Sequence, residues 1–160
     1  MAQDVDADSR EAKVKAAIIY KLTNFATWPK GTFEKKNDPI TLTILGNQNL
    51  FDEYGDDHEL KIGKHELVVK FAASAADIEE SHVVYVGANH SEDFFSTFPK
   101  TPEGVLSIGD SADFAEMGGM IQISIKNGKP VLKVNVDATP RGKMRIDAQV
   151  LEFSEIYKEP

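Results

Sequence analysis

The chain has 160 residues, 41% hydrophobic and 28% charged, with a net charge of -8 and no cysteine. That length fits one domain with a real core, and an acidic surface without a basic run argues against nucleic acid or anionic lipid as a partner. The lack of cysteine excludes thiol catalysis, disulfides and cysteine-held zinc, and no stretch approaches the roughly 20 apolar residues of a membrane span.

Residues 1–10 read as a polar, disordered terminus without the basic and apolar regions of an export signal. From Glu11, the apolar positions Val14, Ile18, Leu22 and Phe25 form one stripe, predicting a helix ended by Trp28-Pro29. Trp28 suits either a core plug or an exposed partner anchor, with core the preferred reading. After a polar loop, "ITLTILG" (40–46) is a β-branched, apolar run that predicts a buried strand. "NQNLFDEY" predicts a short helix and "DDHELKIGKH" a turn-rich connection.

"ELVVKF" (66–71) and "HVVYVG" (82–87) predict two more strands, with a short helix over 74–80 between them, capped by Ser74. Ser91 is expected to cap a helix that Pro99 ends, and "GVLSIG" (104–109) predicts a fourth strand. Asp110 to Met117 reads as a helix stopped by Gly118-Gly119. Two strands around Asn127-Gly128 read as a hairpin. Beyond it, "DATPRGKMRIDAQVLEF" fits helical and extended structure equally. The expected fold is a single α/β domain with a mixed, mostly parallel sheet, a C-terminal antiparallel hairpin and helices on both faces.

Three strands end in the same way: Leu45-Gly46-Asn47, Val86-Gly87-Ala88-Asn89 and Ile108-Gly109-Asp110-Ser111. If they run parallel, these turns share the carboxyl edge of the sheet, where open α/β folds bind ligands. Asn47, Asn89, Asp110 and Ser111 are the candidate polar contacts of a small-ligand site there. The plainer reading is that glycine turns the chain and that Asn, Asp and Ser cap helices. No dinucleotide or P-loop fingerprint is present, so no cofactor is expected.

Asp110, Asp113 and Glu116 at spacings of three read as capping acids, not as a general acid–base pair. His58, His65, His82 and His90 show no metal-ligand spacing, and no GxSxG elbow surrounds a serine. No catalytic residue and no metal site is expected.

As an ordered set, these segments resemble the YfiR-like family. The matching stretches are "VKAAIIYKLTNFATWP" (14–29), "LTILG" (42–46), "GKHELVVKFAASAADIEESHVVYVG" (63–87), "GVLSIGDSADFAEMGGMIQISIKNGKPVLKVNVDA" (104–138) and "GKMRIDAQVLEF" (142–153). The most specific piece is the strand–Gly-Asp–Gly-Gly-Met–hairpin module. The resemblance implies a YfiR-like domain over 11–157, export with removal of a signal peptide, a periplasmic home and a homodimer. It implies repression of a membrane-bound diguanylate cyclase through the cyclase's periplasmic domain, which restrains cyclic di-GMP and biofilm growth, with no enzyme activity of its own.

The resemblance also assigns the partner surface to the C-terminal part, with Leu132, Lys133, Asn135, Asp137, Met144, Ile146 and Gln149 as candidate contacts. The chain lacks the cysteines of better-known members. It has Val131-Leu132-Lys133-Val134-Asn135 where those members usually read Arg-Phe-Glu-Ile-Asn. A deep pocket at the glycine edge would favour a ligand sensor, and an apolar patch beside the hairpin a docking module.

Overall fold

The computed structural model describes residues 2–55, 60–99 and 102–160, with residues 2–8 as backbone only. Helix α1 runs over Ala2–Asn24. It starts at Ala2, not Glu11, so the disordered segment expected over 1–10 is helical backbone from Ala2 on. It also stops before Trp28-Pro29, where the Phe25 N–H closes the last turn onto Lys21 and Leu22. Strand β1 (Ala26–Thr27), strand β2 (Ile40–Leu45), helix α2 (Gln48–Tyr54), strand β3 (Lys61–Ile62) and strand β4 (His65–Ala72) follow.

The helix expected over 74–80 is only a 3-10 turn, Ala75–Asp77. The Ser74 hydroxyl donates to Asp77 rather than capping the backbone. Then come β5 (Val83–Val86), α3 (Ser91–Thr97), β6 (Leu106–Gly109), β7 (Ile121–Lys126) and β8 (Lys129–Asn135). The ambiguous C-terminal stretch is both helical and extended: α4 (Ala138–Arg141), β9 (Arg145–Ile146), α5 (Ala148–Glu152) and β10 (Ser154–Tyr157).

Eight strands form one sheet in the order β10-β8-β7-β6-β5-β2-β4-β3, and β1 pairs with β9 in a small antiparallel ladder. Strands β4, β2, β5, β6 and β7 run parallel. Strand β8 returns antiparallel through Asn127-Gly128, both at positive φ, as a tight hairpin of matching twist requires. Strand β10 runs parallel to β8 at the sheet edge.

Alternation sorts the strands' side chains onto two faces. Leu42, Ile44, Tyr85, Ile108, Ile121 and Val134 meet Ile19 and Leu22 of α1 and Leu50 of α2. Leu45, Val84 and Val86 meet Phe94 of α3 and Phe114 on the other face. Each large apolar side chain so enclosed contributes about 1.5–3 kcal/mol.

Residues 110–117, expected to be a helix, form a bend and a string of turns instead. The bonds mix spacings: Phe114 to Ser111, Met117 to Asp113 and Gly119 to Phe114. The reason lies in buried side chains that satisfy this backbone from outside. Gln122 accepts from the Ala115 N–H and donates to the Ala112 carbonyl, both at 3.1 Å, and Asn135 donates to the Ala115 carbonyl at 2.9 Å. Gly109 and Gly119 close on the Phe114 ring from two sides, leaving no room for a Cβ at either position.

Candidate functional site

Two places at the sheet's ends bring candidate residues together. The first is the carboxyl edge of the parallel strands. Asp110, just past β6, does not cap a helix. Its Oδ2 accepts from Lys15 Nζ of α1 at 2.7 Å and from the Tyr85 hydroxyl of β5. Its side chain is only 7% exposed, and its Oδ1 is buried without a hydrogen-bond partner.

Burial, and then the Asp110 carboxylate, hold the Tyr85 phenol well above its ordinary pKa, so it stays protonated and donates. The nearby Asn47 side chain opposes that rise, and Asn47 Oδ1 caps α2 by accepting from Leu50 N–H at 3.0 Å. Ser111 pairs with Ser91 at 2.8 Å. Of the expected ligand contacts, Asp110 therefore bonds Tyr85 and Lys15, Asn47 caps α2 near Tyr85, and Ser111 is tied to Ser91. Asn89 is exposed in the turn Ala88–His90.

The second place is a groove where α1, β8 and α5 meet. Ile18, Leu22 and Phe25 form one wall, Leu132 the floor, and Val150 and Phe153 the far side, with Lys21 and Gln149 at the rim. Phe153 is 83% exposed and Ile156 of β10 is 48% exposed. Register places Ile156 opposite Val134 and Ser154 opposite Leu132, so Ile156 shares the sheet face that carries the groove.

The expected partner contacts divide. Leu132 is half-buried in the groove and Gln149 is exposed at its rim. Lys133 is half-buried on the opposite face of β8, and Asp137 is exposed, accepting from the Glu159 N–H. Asn135, Met144 and Ile146 are buried and offer a partner no surface. Asn135 instead holds the chain reversal after β8, its Oδ1 accepting from the N–H groups of Asp137 and Ala138. These three are withdrawn from the contact set. The sequence reading missed Phe153 and Ile156, whose only signal is two large apolar residues in the charged tail "EFSEIYKE".

Among the described residues there is no cluster of three or more His, Asp or Glu that could hold a metal ion. None of their helices is long and apolar enough to cross a membrane.

The parallel strands follow the order 2-1-3-4-5 of doubly wound sheets, so the class is a doubly wound α/β domain extended by an antiparallel edge. The chain belongs to the YfiR/HmsC-like family, whose model matches residues 12–155. No curated protein matches it.

Proposed function

We propose that the chain is a periplasmic regulatory binding protein. It represses an inner-membrane diguanylate cyclase by contact with the cyclase's periplasmic domain, lowering cyclic di-GMP and restraining biofilm growth. The protein binds and the chemistry is its partner's. Export with removal of a signal peptide and assembly as a homodimer belong to the same reading.

Membership of the YfiR/HmsC-like family supports this reading. The single observation that carries the choice of surface is Phe153, 83% exposed over an apolar groove. A lone folded chain gains nothing from an exposed phenyl ring, whereas exposed aromatics beside an apolar pocket are the usual anchors of interfaces. Leu132, Gln149, Phe153 and Ile156 form the proposed contact set, with Lys133 and Asp137 as flanking charges.

Co-purification with the periplasmic domain of a membrane cyclase encoded beside it tests the proposal. Association at micromolar concentration supports it, and none at that concentration rejects that partner.

A second reading, a small-ligand sensor at the glycine-turn edge, is favoured by the unpartnered buried oxygen of Asp110. Both readings hold together if a ligand at that edge shifts partner affinity.

A further inference from the structure

The two edges of the large sheet differ. Strand β3, at one end, has only two residues. The Leu67 N–H donates to the Leu60 carbonyl at 2.9 Å, so the next residue, Lys61, turns its main chain outward. There the Tyr20 hydroxyl occupies the Lys61 carbonyl at 2.5 Å. Strand β10, at the other end, pairs with β8 along all four of its residues and has no strand beyond it among the described residues.

One bond fixes which groups of β10 are free. The Val136 N–H donates to the Tyr157 carbonyl at 3.0 Å, so Tyr157 turns its main chain toward β8. Main-chain groups alternate along a strand, so Glu155 does the same, while Ser154 and Ile156 turn theirs outward. An outward row of N–H and C=O groups is a template for another strand. The side chains at this edge also alternate. Ile156 is exposed on the face that carries the groove, and Glu155 is exposed on the other face, opposite Lys133 of β8.

We propose that the partner docks by adding an extended segment to the free edge of β10, as a ninth strand of the sheet. The inference rests on the proposed docking surface and names what fills it. Outward N–H and C=O groups at alternate residues are matched by an extended backbone, which gives strand addition its affinity. The pleat then sets the segment's side chains. An apolar one lies beside Ile156 on the groove face, and a basic one lies beside Glu155 on the other. The chain's net charge of -8 favours the same alternating apolar and basic segment.

Amide hydrogen exchange of the full chain, alone and with the periplasmic domain of a membrane diguanylate cyclase, tests the assignment. In the free chain the Ile156 amide should exchange quickly, and the complex should slow it at least tenfold. Affinities of Ile156→Ala and Ile156→Pro give a second readout. Alanine removes the side chain alone, whereas proline also removes an N–H that the chain's own sheet does not use. The proline variant should therefore bind about tenfold more weakly than the alanine variant, the loss of one hydrogen bond.

If Ile156→Pro does not fold, exchange in the wild-type chain decides alone. A complex in which the Ile156 amide exchanges as fast as in the free chain overturns strand addition and leaves docking at Phe153 standing. Equal affinities of two folded variants do the same. Protection of Ile156 that grows with the concentration of the free chain assigns the edge to a second copy and overturns the partner segment. No association at micromolar concentration overturns both the inference and the docking reading for that partner.

Discussion

The backbone N–H of Thr41 donates to Nδ1 of His82 at 2.9 Å, so this imidazole nitrogen carries no proton in the folded chain. The main chain of His82 reinforces the contact, because its N–H donates to the Thr41 carbonyl at 2.9 Å. The His82 carbonyl also accepts from Trp28 Nε1 at 3.0 Å, which makes Trp28 a structural tie rather than an exposed anchor. The ring stacks on Phe33, which also meets the rings of His65 and Trp28.

Burial lowers the His82 pKa below its ordinary value of 6.5, outweighing the opposing pull of Glu80, and His65 lowers it further. The folded chain therefore resists a proton that the unfolded chain accepts. Stability is full above about pH 6.5 and is lost as pH falls through that value toward the depressed folded pKa. Asparagine offers an acceptor oxygen near the place of Nδ1 without titrating. Thermal melts from pH 7.5 to 5 should show a smaller loss of Tm in His82→Asn than in the wild-type chain. Parallel curves would refute the role of His82.

Asn135 should be a stability residue. Asn135→Ala strips the Ala115 carbonyl and the Asp137 and Ala138 N–H groups of their partner inside the core. The expected cost in urea unfolding is about 2–4 kcal/mol. A change below about 0.5 kcal/mol, the range of ordinary surface substitutions, would contradict the assignment.

Gly119 should tolerate no side chain. An added Cβ would lie 2.1 Å from the Phe114 ring, which is fully buried and also closed off by Gly109. Gly119→Ala is expected to destabilise by about 1–3 kcal/mol through overpacking, and Phe114→Ala by about 3–5 kcal/mol through the cavity it leaves. Equal midpoints for Gly119→Ala and the wild-type chain would show that the ring moves freely.

The parallel strands are legible in the sequence because "ITLTIL" and "VVYV" are short β-branched runs closed by glycine. The hairpin is equally legible, since Asn127-Gly128 meets a turn that demands positive φ at both residues. The segment 110–117 misleads because its acids and apolar spacing suit a capped helix. What overrides them are Gln122 and Asn135, side chains from strands that follow it.

The role of Asp110 is hidden for a similar reason, its partner Lys15 lying 95 positions away. Met144 and Ile146 look like surface contacts when read by segment, yet the β1–β9 ladder turns them inward. Strand β10 is four residues with two exposed positions, too short for a period to emerge.

The exposed aromatic edge carries the central claim. Phe153→Ala removes a side chain that contributes little to the folded chain, so Tm should stay within a few degrees of the wild-type value. The same substitution removes the proposed anchor, and truncating an interface anchor costs 2 kcal/mol or more, roughly thirtyfold in Kd. The direct measurement is the Kd of the wild-type and Phe153→Ala chains for the periplasmic domain of a membrane diguanylate cyclase, the proposed partner, by titration calorimetry. Micromolar or tighter binding by the wild-type chain, weakened about thirtyfold in the variant with its fold intact, is the predicted result; equal affinity of the two chains, or no binding by the wild-type chain, would contradict it.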